Sequence, residues 1–233
     1  MTCLSIVKQV CGRLSLTVPT AVVGSTDSQL VQLLTLLNKA GHDLGQAYNW
    51  QALTVEQTFT TTNTPAQDAA IPDDLDRFVA NSFYNRTTRR PVSGPLTSIQ
   101  WQALQAIPAA NTVYLMFRER QGQFLVSPTP PAGQEIAYEY VSSNWAKSAA
   151  GDPQSEFLAD TDLAYLDESL LADALVWMFL RAKGLSYAEE MTTFERNLEQ
   201  QMGRDGGSSQ LTLTPQPIDL SRVNLPDGDW PGA

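Results

Sequence analysis

The side chains that most often catalyse reactions or bind metals are sparse in this sequence. The single histidine is His42, so a Ser-His-Asp triad, a Cys-His pair or a histidine metal site would have to include it. His42 lies within a predicted helix and has no motif around it, which favours a structural or solvent-facing role. Neither a Walker loop nor a GxGxxG motif after a strand occurs. We therefore predict no catalytic residue, no metal site and no cofactor.

Neighbouring carboxylates are the remaining candidates for chemistry, because glycosidases use two of them about 5–9.5 Å apart. Asp73, Asp74 and Asp76 form one group, and Glu189 and Glu190 form another. Residues adjacent in a helix do not face each other, and such a separation is a tertiary feature that sequence does not display. The pattern favours solvated acidic surfaces.

One concentrated basic cluster occurs, in the segment "NRTTRR". It contains Arg86, Arg89 and Arg90 and is followed by Pro91. The cluster is either a loop of solvated arginines or a set of inter-subunit arms, since guanidinium groups bind carboxylates in a planar, two-pronged fashion. The net charge of −10 is relevant here, because an acidic protein that self-associates needs complementary cations. Three arginines alone are too few for tight DNA binding.

The composition is that of a globular protein: of 233 residues, 42% are hydrophobic and 17% are charged. Cys3 and Cys11 would lie about 12 Å apart along a helix, too far for a disulfide, which favours a reducing compartment. No signal-peptide pattern and no stretch of about 18 apolar residues is present, so we expect a soluble, cytoplasmic protein. The acidic balance argues against tight binding to nucleic acid or to anionic membranes.

Helical patterns occur at both ends of the chain and strand patterns occur between them. Apolar spacing predicts four helices, over 3–16, within 24–50, over 160–184 and from Ser186 onward. Ser25, Thr26 and Asp27 are the N-cap candidates of the second helix, and a Ser186–Glu189 capping box opens the last. Gly41 and Gly45 should weaken the second helix. Between the helical ends, β-branched and aromatic residues predict a strand after Leu53, a hairpin with strands 112–118 and 123–127, and a strand around Ile136, with a short helix at "SIQWQALQA".

This order of elements predicts an α+β fold. We expect an α-helical bundle from residues 1–51 and 148–203, a small β-rich insertion over 52–147, and an extended C-terminal arm over 204–233. The segment "YNWQALTVEQTFTTT" would join bundle and insertion, with Thr58, Thr60 and Thr62 on one strand face and Phe59 on the other.

The C-terminal segment is rich in apolar side chains without helical period. They are Leu211, Leu213, Ile218, Leu220, Val223, Leu225 and Trp230. The segment either packs back on its own domain or docks on a partner, where it could add backbone hydrogen bonds to an exposed strand. We favour the second interpretation, with Trp230 as an anchor, because tryptophan is enriched at interface hot spots.

Three elements of the sequence form a recognisable pattern. They are Trp50 with Leu53, the "IPDD" element followed by Phe78, and a proline-rich run into a tyrosine-rich strand, marked by Leu125, Pro128, Pro130, Tyr138 and Tyr140. Over roughly residues 20–200 the chain resembles the head-to-tail adaptor (connector, or head-completion) proteins of tailed bacteriophages, in particular podovirus-like ones. The residues of this pattern are packing and turn residues, not catalytic ones.

The resemblance implies a dodecameric ring beneath the portal vertex, which extends the DNA channel and docks tail or nozzle proteins. It implies a virion protein of the head-tail junction, a C-terminal arm that reaches the portal protein, and DNA that passes through without sequence-specific binding. Two alternatives stay open: a virion-associated peptidoglycan-cleaving enzyme that uses carboxylates such as Glu189, and a tail-completion or tube-terminator protein.

Overall fold

Most helical residues lie near the two ends of the described chain and most strand residues lie between them, as in an α+β fold. A computed structural model describes residues 2–106 and 114–206. The helices in these ranges are α1 (Cys3–Arg13), α2 (Ser28–Ala47), α3 (Ser98–Ala106), α4 (Glu168–Ala182) and α5 (Ala188–Asp205). The strands are β1 (Thr54–Thr60), β2 (Leu75–Phe78), β3 (Tyr84–Asn85), β4 (Arg90–Pro91), β5 (Met116–Arg120), β6 (Gln123–Ser127), β7 (Glu135–Ser142), β8 (Ala146–Lys147), β9 (Pro153–Gln154) and β10 (Leu163–Ala164). The α+β class is thus confirmed.

The described residues divide into two compact units. The helical unit comprises residues 2–54 and 142–206 and holds four of the helices and a small sheet in the order β10-β8-β9. The β-rich unit comprises residues 55–141 and holds α3, the β5–β6 hairpin and nearly all of the five-stranded sheet. In that sheet β7 is central and pairs with β1, β2 and β3, while β4 pairs with β3.

Helix α4 is the core of the helical unit, because α1, α2 and α5 all pack against it. It buries eight residues, more than any other described helix. The Asp167 side chain caps its first turn by accepting a hydrogen bond from the Leu170 N–H at 3.0 Å. Gly184 ends it in the left-handed region, with φ of +70°, as predicted for a glycine after the last helical residue.

The predicted start of α4 is wrong by eight residues. Leu163, which falls inside the predicted helix, lies in β10 opposite Lys147. The acidic side chains before it do not form a first helical turn: Asp160 accepts hydrogen bonds from the Val22 and Val23 N–H groups, and Asp162 binds backbone N–H groups nearby. Aspartates that bind backbone in this way compete with helix formation.

Two smaller predictions also need correction. Helix α5 begins after Tyr187 without a side-chain cap, so the Ser186–Glu189 capping box does not form. The Leu185 N–H donates to the Leu180 carbonyl and completes the turn that ends α4. Ser186 therefore lies one residue before Tyr187, which is the N-cap of α5. Helix α1 ends at Arg13 and not at residue 16. The two cysteines are free and buried, in agreement with the prediction of no disulfide.

The β-rich unit is built around a cluster of aromatic rings. Its buried aromatic members are Phe59, Phe83, Phe117, Phe124, Tyr138 and Tyr140. The β5–β6 hairpin supplies two of these rings, with Phe117 opposite Val126 and a tight turn in which Gln121 and Gly122 both have positive φ. The predicted strand over 112–118 is instead 116–120, and residues 112 and 113 lie outside the described ranges. Phe59 is buried between exposed Thr58 and Thr60, as expected.

Candidate assembly surfaces

The chemically versatile residues are scattered over the described parts of the chain. His42 is an exposed residue of α2, with Gln46 as its side-chain neighbour at 3.5 Å. Among residues 2–106 and 114–206, no group of three or more His, Cys, Asp or Glu side chains is arranged to hold a metal ion. None of the helices in these ranges is long and apolar enough to cross a lipid bilayer.

The acidic residues considered for catalysis each have a structural partner or an exposed position. Asp74 accepts a hydrogen bond from the Tyr140 hydroxyl at 2.9 Å, and burial together with this carboxylate raises the pKa of Tyr140. Asp76 forms an ion pair with Arg77. Glu190 pairs with Arg13 at 3.1 Å, whereas Glu189 is exposed on the first turn of α5.

We call the short β3–β4 hairpin the arginine hairpin, because it contains Arg86, Arg89 and Arg90. Arg86 donates to Glu56 at 2.9 Å and to Glu135 at 3.2 Å, and these two hydrogen bonds, that to Glu56 first, raise its pKa. Its guanidinium is therefore engaged within its own chain. Arg89 has a left-handed backbone with φ of +56° at the turn, and Arg90 lies in β4 opposite Asn85.

Helix α5 carries an apolar stripe that its own chain covers incompletely. The stripe consists of Met191, Phe194, Leu198 and Met202, all half-buried. No residue of α5 is fully buried, although α4 packs along it. Asn197 donates to Asp173 of α4 at 2.8 Å, and Arg13 of α1 binds the other oxygen of the same carboxylate at 2.5 Å. Polar contacts thus hold α5 in place while its stripe remains partly exposed.

A groove of about 450 Å³ lies between α2 and α4. This α2–α4 groove is lined by Leu36, Lys39, Asp43, Trp177, Met178, Arg181 and Ala182. The Trp177 ring lies 6.1 Å from the ring of Phe194 in the α5 stripe, and the Arg181 guanidinium lies 5.8 Å from the Trp177 ring. The indole N–H of Trp177 is buried and has no hydrogen-bond acceptor among the described residues.

The junction between α2 and β1 is also the place where α5 ends. The Trp50 indole N–H donates to the Leu44 carbonyl at 2.7 Å, and its ring meets that of Tyr48 edge-on at 5.2 Å. The Gln51 N–H donates to the carboxylate of Asp205 at 2.9 Å. The sequence pattern places Asp205 in the extended arm, because nothing near it in sequence indicates a partner so far away along the chain.

The predicted portal-binding residues all fall beyond residue 206. Leu211, Leu213, Ile218, Leu220, Val223, Leu225 and Trp230 lie outside the described residues.

A comparison with protein families identifies the family to which the chain belongs. The family model described as SU10 adaptor protein matches residues 1–218. No curated protein sequence matches the chain. The match covers both units, including the α5 stripe, the arginine hairpin and the first part of the C-terminal segment. The chain belongs to the SU10 adaptor protein family, a family of bacteriophage head-to-tail adaptors.

Proposed function

We propose that the protein is a non-enzymatic structural component of the virion that forms a ring beneath the portal. The ring lengthens the DNA channel and provides the platform on which tail or nozzle proteins dock. The observation that carries this proposal is the family match, which extends over residues 1–218 of the 233. The net charge of −10 suits a channel through which DNA slides, because tight binding would require concentrated lysine and arginine.

Contacts between subunits of the ring involve the helical unit. A ring forms when one surface of a subunit binds a different surface of the next copy. The α5 stripe and the α2–α4 groove are two such surfaces: the first is a half-buried apolar ridge and the second an apolar recess with Lys39 and Arg181 at its edge. We expect a dodecamer, as the adaptor resemblance implies.

The arginine hairpin contributes ion pairs between subunits through Arg89 and Arg90. Arg86 is bound by Glu56 and Glu135 of its own chain and supports the hairpin from within the subunit. The arm residues from Leu211 to Trp230 bind the portal protein, with the Trp230 ring as the anchor.

Portal binding tests the arm. Full-length protein and a variant that ends at Gly206 are mixed with purified portal rings, and the mass of the complexes is measured. A stop after Gly206 keeps Asp205, which bonds to Gln51, so the two units should remain folded by circular dichroism. We expect the full chain to bind portal and the shortened one not to bind. Equal binding by both would contradict a portal-binding arm, and a full-length chain that stays monomeric with portal would contradict the adaptor ring.

A pair of variants on α5 tests the subunit interface. Leu198→Glu introduces a charge into the apolar stripe, and Gln200→Glu introduces the same charge at an exposed position two residues away. We expect Leu198→Glu to abolish ring assembly on the portal and Gln200→Glu to leave it intact. Rings of normal mass in both variants would remove the α5 stripe from the interface.

A further inference from the structure

Strand β1 forms one edge of the five-stranded sheet. β7 pairs with one side of it, and no other strand in the described ranges pairs with its other side. A strand in this position presents every second N–H and C=O group to its surroundings, and natural edge strands are commonly protected by prolines, bulges or several charges. β1 has the sequence TVEQTFT, with no proline and a single charge at Glu56. Its edge is therefore able to accept another strand.

The two faces of β1 differ in chemistry. One face carries Val55, Gln57 and Phe59, which are every second residue of the strand. Phe59 is buried there, whereas Val55 is 42% exposed. Threonines dominate the other face, where Thr58 and Thr60 are exposed. A complementary strand would place apolar side chains beside Val55 and threonines beside Thr58, because neighbouring strands pair side chains of the same face.

The chain leaves the described structure next to the start of this strand. The Asp205 carboxylate accepts a hydrogen bond from the Gln51 N–H, and Gln51 precedes β1 by three residues. Gly206, the last described residue, lies against the Tyr48 hydroxyl. Residues 51–53 form a 3-10 helix, which rises about 2 Å per residue, so β1 begins about 6 Å from this point.

The sequence beyond Gly206 has the required length and pattern. Residues 207–209 are Gly-Ser-Ser, and four residues in extended form span up to about 14 Å, enough to bring residue 210 beside the first residues of β1. The next five residues, Gln-Leu-Thr-Leu-Thr, contain no charge and alternate apolar side chains with threonine. Pro215 and Pro217 then remove the N–H groups that a longer strand would need.

We propose that residues 210–214 of the same chain bind the open edge of β1 as a sixth strand of the sheet. The new strand is parallel to β1, because residue 207 starts beside the residues that precede β1, and a segment that follows the β1 edge from that end must run in the same direction as β1. Leu211 and Leu213 cover the face that contains Val55, and Thr212 and Thr214 lie on the face of Thr58 and Thr60. This interaction narrows the portal-binding set proposed above: Leu211 and Leu213 bind the chain's own sheet and fix the root of the arm, and the apolar residues from Ile218 to Trp230 remain to bind the portal protein. It requires no portal protein, so it stands or falls independently of the function proposed above.

Amide hydrogen exchange of the isolated full-length protein, followed residue by residue by NMR, tests this strand. Thr212→Pro removes an N–H from the middle of the proposed strand, and Gln216→Pro places the same residue just beyond it. We expect the outward-facing amides of β1 to exchange at least tenfold faster in Thr212→Pro than in the parent protein, and Gln216→Pro to match the parent. Equal exchange in all three proteins would overturn the proposal.

Chemical crosslinking identifies the source of the strand. Val55→Cys is combined with Leu211→Cys and treated with a short bismaleimide, and Val55→Cys with Leu225→Cys serves as the control. The native cysteines are buried, which limits their reaction in the folded protein. We expect the first pair to crosslink within one chain and the control pair to remain unlinked. A crosslink between two chains would assign the edge to a second copy, and no crosslink in the first pair would leave the edge without this occupant; either result overturns the proposal.

Discussion

The indole of Trp145 lies directly against Gly41 of α2, so close that a Cβ atom at position 41 would overlap the ring. Trp145 is 1% exposed, and its ring meets that of Phe157 edge-on at 4.8 Å. Sequence reasoning treated Gly41 as a weak point in the helix. In the structure the missing side chain makes room for one of the largest buried residues of the helical unit.

Replacing Gly41 by alanine should therefore destabilise the protein. A methyl group would have to displace Trp145, at a cost of about 1–3 kcal/mol, which outweighs the gain of about 1 kcal/mol in helix propensity. Gly12→Ala is the matched control, because Gly12 is also helical and has open space around it; it should be neutral or stabilising. The free energy of unfolding in urea distinguishes the two, and equal values would contradict the packing role of Gly41.

The aromatic cluster of the β-rich unit should be sensitive to truncation. Phe124 is 1% exposed and stacks on Phe117 with ring centroids 4.6 Å apart. Phe124→Ala should lower the free energy of unfolding by about 3–5 kcal/mol, because it removes buried surface and leaves a cavity. Ile99→Ala, at a position that is 79% exposed, should change it by less than about 0.5 kcal/mol. A loss below about 1 kcal/mol for Phe124→Ala would mean that the cluster is not close-packed.

Replacing the arginines of the arginine hairpin one at a time should affect ring assembly differently. Arg86→Ala should leave ring assembly unchanged, because Arg86 is bound to Glu56 and Glu135 of its own chain. Arg89→Ala should weaken assembly, most clearly at low salt, where ion pairs between subunits are least screened. The ring fraction by native mass spectrometry at two ionic strengths measures both effects. Loss of rings in Arg86→Ala with none in Arg89→Ala would reverse the assignment.

Stability at alkaline pH should depend on Cys3. Burial first, and then the negative charges of Asp160 and Asp162, raise the pKa of its thiol to about 12, against 9.0 for an exposed thiol. The unfolded chain therefore loses this proton at lower pH than the folded chain does, and stability falls as pH rises from about 9 to about 12. Urea unfolding at pH 8 and pH 10.5 should show a smaller loss in Cys3→Ala than in the parent. Parallel losses in the two proteins would show that Cys3 does not contribute.

The features that could be predicted from sequence are those encoded by near neighbours. The 3.6-residue period located the helices, the β-branched and aromatic segments located β6 and β7, and the glycine after Lys183 marked the end of α4. The resemblance placed the chain among phage adaptors from packing residues such as Trp50 and Phe78, and the family match confirms that placement.

What sequence did not predict depends on partners that are distant along the chain. Asp160 looks like a helix start, but it binds the N–H groups of Val22 and Val23, more than 130 residues away. Asp205 looks like part of a linker, but it binds Gln51. Acidic residues form similar local patterns whether they cap a helix or bind a loop, so only the tertiary fold decides between the two.

The division of the chain into units also sets an order of events during synthesis. Residues 55–141 are contiguous and can fold as soon as they leave the ribosome, whereas α1 and α2 must wait for α4 to emerge. At about 5–20 residues per second, the remaining residues up to 206 take roughly 3–13 s to translate. During that interval the apolar faces of α1 and α2 lack their partner helix. The nascent chain therefore passes through a stage in which residues 55–141 are folded and the helical unit is not. Chaperone binding, or contact between nascent chains on the same polysome, would have its greatest effect at this stage.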